Sequence, residues 1–106
     1  MASSPREFFE NDVRRKLEGK PELVEKINAI YQFDLGDGGQ WVVDLTQEGG
    51  KVESGEAESP ACKVTISEPD FAKLLDKPSS AMVLFTMGKL KVTNISLGMQ
   101  LQKLLS

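Results

Sequence analysis

Residues 30–45 read IYQFDLGDGGQWVVDL, and the stretch alternates apolar and polar residues on either side of a glycine-rich centre. Alternation with a period of two is typical of a half-buried β-strand. Residues 36–39 between the two runs predict a tight turn, because glycine adopts positive φ at little cost. The sequence therefore predicts a β-hairpin with one apolar face. The residues expected on that face are Tyr31, Phe33, Leu35, Trp41, Val43 and Leu45.

Two helices are predicted before the hairpin. Phe9, Val13 and Leu17 recur at four-residue spacing and form one apolar stripe over residues 6–18. A glycine and then a proline within residues 19–21 indicate the end of this helix and the start of a second one.

Three further strands and three helices are predicted after the hairpin. The strands lie near residues 51–54, 62–66 and 89–93, and an acidic loop separates the first two. Pro78 is expected to separate the first two of these helices. Residues placed to cap the helices by accepting a backbone hydrogen bond are Ser67, Ser79 and either Thr93 or Asn94. The order of elements predicts an α+β domain in which helices cover one face of a five-stranded, mostly antiparallel sheet.

The composition excludes several kinds of chemistry. The chain has 106 residues, a net charge of -3, no histidine and a single cysteine, Cys62. Without histidine, neither a Ser-His-Asp nor a Cys-His catalytic arrangement can form. A single cysteine cannot form an intramolecular disulfide, which favours an intracellular, reducing location. The acidic balance also argues against a nucleic-acid partner. No apolar run approaches the ~18 residues of a membrane span.

The remaining local signals favour structure over catalysis. Cys62 is interpreted as a small strand residue, with a reactive thiol as the alternative. The acidic residues Glu53, Glu56 and Glu58 lack the ligand spacing of a calcium loop and are interpreted as a solvated loop. The glycines of residues 36–39 lie between two strands, so they indicate a hairpin turn and not a phosphate-binding loop.

The final third of the chain, residues 82–105, carries a surplus of apolar residues that includes three methionines. Methionine adapts to irregular apolar partners because its side chain is flexible and polarizable. The pattern alone favours an ordinary core over a cavity wall, although periodicity does not separate the two. The apolar residues concerned are Met82, Val83, Leu84, Phe85, Met87, Leu90, Val92, Ile95, Leu97, Met99, Leu101, Leu104 and Leu105.

Two sets of basic residues are candidates for contact with anionic groups. Arg14, Arg15 and Lys16 are consecutive in the first helix, and Lys89 and Lys91 lie in the fifth predicted strand. A solvated face is the simpler interpretation of each set, and contact with lipid headgroups is the alternative.

Several stretches, taken together in this order, resemble the sterol carrier protein-2 family. They span residues 21–105, and the aromatic–Trp–Asp-Leu hairpin followed by Gly-Lys-Leu-Lys is their most specific part. The chain departs from the family pattern at Thr93, where glycine is frequent, and at Gly98, where alanine is common and glycine is expected to loosen the last helix. The stretches are IYQFDL at residues 30–35, GGQWVVDL at 38–45, VTISEPDF at 64–71, GKLKV at 88–92, and the closing-helix residues Asn94, Leu97, Leu101, Lys103 and Leu104.

The resemblance implies a single SCP2-like domain over residues 1–106, with residues 1–5 disordered and an apolar tunnel between sheet and helices. Family members hold fatty acids, acyl-CoA, sterols or other lipids there, so it implies a non-enzymatic carrier without cofactor or metal that contacts membranes transiently. Trp41 is expected either near the cavity or as an anchor of the sheet, and Arg14 and Arg15 as headgroup contacts. The residues expected to line the tunnel are Phe71, Leu75, Met82, Phe85, Met87, Leu90, Ile95, Met99 and Leu101.

Two other functions stay open beside the carrier. One is an interaction or accessory module of a larger protein with a filled core and no ligand, and the other is a thiol-dependent enzyme that uses Cys62. Family members also occur as terminal domains of larger peroxisomal or membrane-associated proteins. The expected location is intracellular, either peroxisomal, as the resemblance implies, or cytoplasmic, and residues 104–106, Leu-Leu-Ser, do not form the Ser-Lys-Leu-like tripeptide of peroxisomal members.

Overall fold

The computed structural model describes residues 5–77 and 79–105. An N-terminal helical segment, residues 5–19, is continuous and is followed by a short helix, a sheet and three further helices. The helical elements are α1 (Pro5–Glu7), a π-helical stretch (Phe8–Val13), α2 (Arg14–Gly19), α3 (Pro21–Ile27), α4 (Glu68–Asp76), α5 (Ser80–Thr86) and α6 (Ile95–Leu105). The strands are β1 (Ile30–Asp34), β2 (Gln40–Asp44), β3 (Lys51–Ser54), β4 (Cys62–Ile66) and β5 (Leu90–Val92).

The N-terminal helical segment confirms the helix expected over residues 6–18. Phe9, Val13 and Leu17 are all buried, as their spacing predicts. Pro5 already belongs to this helix, whereas the disordered start stays a prediction. Residues 1–4 lie outside the described residues, as does Pro78.

The five strands form one sheet in the order β3-β2-β1-β4-β5. Three of the four neighbouring pairs are antiparallel, and β1 pairs with β4 in parallel. The mostly antiparallel α+β fold is therefore confirmed. The parallel pair arises because residues 55–61 carry the chain from the β3 edge across β2 and β1 to the far side of the sheet.

The strand registers place the apolar side chains of the sheet on one face. Tyr31 lies opposite Val43 on one side and Cys62 on the other. The helices pack on this face and complete the core with it. Strand residues that share the face are Tyr31, Phe33, Trp41, Val43, Val52, Cys62, Val64, Ile66, Leu90 and Val92.

The opposite face of the sheet holds one buried polar residue, Gln32, which is only 3% exposed. Its amide nitrogen donates to the carbonyl oxygen of Gly55 at 3.1 Å, and its amide oxygen accepts from the backbone N–H of Ala57 at 2.6 Å. These bonds satisfy the buried amide and fix the crossing loop against the sheet. The acidic side chains of this loop, Glu56 and Glu58, are exposed, which confirms its interpretation as solvated, whereas Glu53, also exposed, lies in strand β3 and not in the loop.

The helix caps confirm two predictions and correct a third. The Ser67 hydroxyl accepts from the backbone N–H of Asp70 at 3.4 Å. Asn94, and not Thr93, caps α6 by accepting from the N–H of Leu97 at 3.1 Å. The side chain of Ser79 makes no capping bond, so that prediction is wrong. Its backbone is already helical (φ -65°, ψ -15°), whereas a capping residue normally has an extended backbone.

Helix α6 continues through Gly98 without interruption. A Cβ atom at Gly98 would lie 3.0 Å from Cγ1 of Val92. The glycine therefore permits a close approach of α6 to the edge strand β5, whatever helix propensity it loses.

Candidate functional site

An aromatic cluster holds the N-terminal helical segment to the sheet. The ring of Phe9 stacks on Trp41 with centroids 5.2 Å apart and on Phe71 with centroids 5.7 Å apart. Phe33 and Phe8 contact the same ring at 5.0 and 5.3 Å. Trp41 is buried in this stack, which supports its role as an anchor of the sheet.

The first turn of α6 is tied to the sheet by two side chains of the apolar face. The Tyr31 hydroxyl donates to the carbonyl oxygen of Leu97 at 2.7 Å, and the Cys62 thiol donates to that of Asn94 at 3.5 Å. Burial, followed by the nearness of Cys62, raises the pKa of Tyr31 above its ordinary value. Burial also raises the pKa of the Cys62 thiol, and the bond to Asn94 offsets part of that effect. Since the thiolate is the nucleophile, this buried thiol is suited to packing and not to reaction.

The apolar surplus of residues 82–105 is divided between the core and the surface. Leu84, Leu90 and Leu101 are buried. Six other large apolar side chains are exposed, and among the described residues every exposed large apolar side chain belongs to this region. They are Met82 (73% exposed), Val83, Phe85 (41%), Met87, Ile95 and Met99. A stretch of chain that exposes this many large apolar side chains favours a binding site there.

The side chains predicted to line a tunnel consequently fall into two groups. Phe71, Leu90 and Leu101 lie in the core. Five lie at the surface, two of them on α5, one directly after it and two on α6, and these are Met82, Phe85, Met87, Ile95 and Met99. The side chain of Leu75 lies outside the described part of the chain.

Helix α5 is attached to the core mainly through two side chains. Leu84 is its only buried side chain, and the partly buried Ala81 also packs against the core. The backbone and hydroxyl of Ser80 both donate to the carbonyl oxygen of Lys77, and the N–H of Lys89 donates to the carbonyl oxygen of Leu84 at 2.9 Å. Sequence reasoning missed Leu84 as the anchor, because α5 is apolar on most of its circumference and gives no stripe to identify the inner side.

The two arginines predicted to contact headgroups lie on α2, away from α5 in the chain. The Arg14 guanidinium donates to the carbonyl oxygen of Val52 at 3.1 Å, and that of Arg15 lies 4.0 Å from the Asp12 carboxylate. Both line an open polar depression whose other lining residues are Glu7, Glu10, Asn11, Asp12 and Glu18. Four carboxylates beside two guanidiniums do not favour an anion, so this contact stays a prediction without support from the local charge.

Neither a membrane crossing nor a metal centre is visible in the part of the chain that the structure describes. None of its helices combines the length and hydropathy that a membrane span requires. Its cysteine, aspartate and glutamate side chains form no group of three or more that could hold a metal ion.

Comparison with known proteins identifies the family. A profile of the SCP-2 sterol transfer family matches residues 10–106. The chain belongs to this family. A solution structure of the sterol carrier protein domain 2 of Helicoverpa armigera has the same fold as this SCP-2 domain, with a TM-score of 0.70 and 29% sequence identity over 99% of this chain and 91% of that one.

Curated relatives contain the SCP-2 domain as one part of a longer protein. Hydroxysteroid dehydrogenase-like protein 2 of Mus musculus is 39% identical over 89 residues, which are 80% of this chain and 18% of that protein. Sterol carrier protein 2 of Homo sapiens is 34% identical over 100 residues, which are 88% of this chain and 18% of that protein. The chain thus spans about a fifth of the length of these relatives.

Proposed function

We propose that this SCP-2 domain binds and transfers lipids without catalysis. Its ligands would be fatty acids, acyl-CoA, sterols or similar lipids, held in an apolar tunnel between the helices and the sheet. The observation that carries the proposal is that, among the described residues, the exposed large apolar side chains are confined to residues 82–99, in the same final third of the chain as the buried Leu84, Leu90 and Leu101. The description of the family as a sterol transfer family supports the same class of ligand.

The proposed site has an outer and an inner part. Surface side chains such as Met82 and Met99 meet the lipid first, and it then moves inward past Phe71, Leu90 and Leu101. Because Leu84 is its only buried side chain, α5 can shift outward at a small loss of packing and admit a ligand. The lipid then occupies the place in the core that Leu84 has left.

Desolvation supplies the driving force for binding. A chain of about 16 carbons gains roughly 12 kcal/mol on leaving water, at about 0.8 kcal/mol per methylene. The loss of translational and conformational freedom offsets several kcal/mol of this gain. Sub-micromolar affinity is therefore reachable without a specific polar contact, and broad tolerance of lipid type follows.

The proposed function is tested by titrating palmitic acid into the purified chain and recording native mass spectra. We expect saturable uptake, with butyric acid failing to bind because it buries far fewer methylenes. Met99→Gln should weaken uptake about 3-fold to 10-fold, and Lys26→Gln, an exposed control on α3, should leave it unchanged. Absence of saturable uptake of any fatty acid, acyl-CoA or sterol would contradict the proposal.

The second candidate function is an interaction module with a filled core. The exposure of Met82, Val83 and Met87 favours it, since an exposed apolar face also suits a partner protein. A chain that stays folded, takes up no lipid and binds another domain through α5 would establish this function in place of the carrier.

The cellular location of the protein can be proposed from its single cysteine. We propose an intracellular protein, either peroxisomal or cytoplasmic, since Cys62 is a free, buried thiol that needs no oxidising compartment. Fluorescence microscopy of the tagged full-length protein in its own cells tests this location.

A further inference from the structure

The sulfur atoms of the chain are divided sharply between its core and its surface. The single cysteine, Cys62, is buried, whereas Met82, Met87 and Met99 are each at least 60% exposed. The fourth methionine, Met1, lies outside the described residues. Methionine ranks among the residue types that are most often buried, so its exposure at all three described positions calls for an explanation.

The three exposed methionines belong to the elements that form the proposed lipid site. Met82 is on α5, Met87 directly follows that helix, and Met99 is on α6. Leucine has a similar volume and is equally apolar, so packing alone does not require sulfur at these positions. Chemical reactivity separates the two residue types, because a thioether can be oxidised and a leucine side chain cannot. The buried side chains of the same region are all leucines, namely Leu84, Leu90 and Leu101.

Access to solvent favours oxidation of the methionines over oxidation of Cys62. That residue has no exposed surface, and its thiol donates to the carbonyl oxygen of Asn94 at 3.5 Å. Burial also raises the pKa of the Cys62 thiol, which disfavours the thiolate form that reacts with peroxides. A dissolved oxidant therefore reaches the three thioethers before it reaches the thiol.

We propose that Met82, Met87 and Met99 form a switch that hydrogen peroxide operates and that controls lipid uptake. In each reaction the thioether sulfur gives an electron pair to one oxygen atom of hydrogen peroxide. A sulfur–oxygen bond forms, the oxygen–oxygen bond breaks, and the second oxygen leaves with both protons as water. The sulfur is oxidised by two electrons and the peroxide is reduced by two. The inference rests on the proposed function, because the switch requires that lipid contacts these side chains.

Oxidation changes the outer part of the lipid site without emptying the core. The sulfoxide oxygen is a hydrogen-bond acceptor, and an acyl chain that covers it removes its water without supplying a donor. Lipid therefore binds the oxidised site less favourably. The core is spared, since none of the three methionines belongs to the buried cluster. Methionine sulfoxide reductases restore the thioethers with a thiol as reductant, so the switch is reversible.

The test treats the purified chain with hydrogen peroxide, maps the oxidised peptides by mass spectrometry, and measures palmitic acid uptake in native mass spectra. We expect an added oxygen atom at each of Met82, Met87 and Met99, and an unmodified Cys62 thiol. Uptake should weaken at least about 10-fold, because several polar groups then replace apolar contacts. The circular dichroism should not change, and the two epimer-specific reductases together should restore uptake.

The matched control is the variant Met82→Leu/Met87→Leu/Met99→Leu, which keeps apolar side chains of similar volume and has no thioether at these positions. Each protein is compared with its own untreated form, and peroxide should weaken uptake by the variant less than about 2-fold. Saturating palmitic acid, added before the peroxide, should slow oxidation of the three methionines in the original chain at least about 3-fold, because it covers them. Butyric acid should give no such protection.

The inference and the proposed function fail in different ways. No lipid uptake by the untreated chain would overturn the carrier, and the switch with it. Uptake that is present in the untreated chain and undiminished after complete oxidation of the three methionines would overturn the switch alone. An equal loss of uptake in the original chain and in the leucine variant would also overturn it, because another group would then be responsible. Oxidation of Cys62 ahead of the methionines would contradict it as well.

Discussion

The N-terminal helical segment and α5 both contribute to the core on the apolar face of the sheet, but they do so to very different degrees. The first buries Phe9, Val13 and Leu17 completely or almost completely, whereas α5 buries only Leu84. The first is locked by stacked aromatic rings, and the second presents its apolar side chains outward. The difference separates a structural cover from a surface that is available to a ligand, although both segments are rich in apolar residues.

The largest expected effect is on the free energy of unfolding, and it should differ between one phenylalanine of the N-terminal helical segment and one of α5. Phe9→Ala should lower the free energy of unfolding by about 3–5 kcal/mol, because it empties the centre of the aromatic cluster. Phe85→Ala should lower it by less, about 1–2 kcal/mol, because 41% of that residue is already exposed. Urea unfolding followed by circular dichroism measures both.

Phe85→Ala should also weaken palmitic acid uptake about 3-fold to 10-fold, because the bound lipid loses its apolar contact with the aromatic ring. If Phe85→Ala destabilised the protein as strongly as Phe9→Ala, α5 would be part of the structural cover and the contrast between the two regions would disappear.

Stability at alkaline pH provides the next test, because it probes how α6 is tied to the sheet. The folded state holds Tyr31 protonated and raises its pKa above the ordinary value of 10.0. The unfolded chain releases that proton first as the pH rises, so stability should fall above about pH 10. The pKa of the Cys62 thiol is also raised, so this group should begin the same loss of stability near pH 9.

Tyr31→Phe removes the 2.7 Å bond to Leu97 and should cost about 1 kcal/mol at neutral pH. It should also flatten the loss of stability above pH 10 in urea titrations. An unchanged alkaline slope in Tyr31→Phe would show that another group controls this part of the profile.

The smallest expected effect compares the serines before α4 and α5. Ser67→Ala should cost about 1 kcal/mol, because its hydroxyl caps α4 through the N–H of Asp70. Ser79→Ala should change the free energy of unfolding by less than about 0.5 kcal/mol, because its side chain caps nothing. If Ser79→Ala lowered the free energy of unfolding as much as Ser67→Ala, α5 would be held as firmly as α4.

Much of the fold could be predicted because it follows from local patterns. Strict alternation around residues 36–39 gave the hairpin of β1 and β2, and the spacing of Phe9, Val13 and Leu17 gave the buried stripe of the first helix. The parallel pairing of β1 with β4 has no such local signal. It depends on how residues 55–61 cross the sheet, and on Gln32, whose burial beneath that loop an alternating pattern cannot reveal.

The arrangement of the candidate site could not be predicted. The composition of residues 82–105 indicated an apolar surplus there, although the pattern alone favoured an ordinary core. It could not separate Leu84, which is buried, from Met82, which is exposed, because apolar residues occupy nearly all sides of α5. Which side faces inward is decided by tertiary contacts, chiefly those of α5 with α4 and β5.

The central claim is that lipid binds at the final third of the chain and leaves the N-terminal helical segment unchanged. Amide hydrogen exchange with and without saturating palmitic acid tests it most directly, because exchange reports local opening residue by residue. We predict rapid exchange in α5 without ligand, and slower exchange in α5 and α6 with ligand, while residues 5–19 keep the same protection. Unchanged exchange throughout, or protection confined to residues 5–19, would contradict the account.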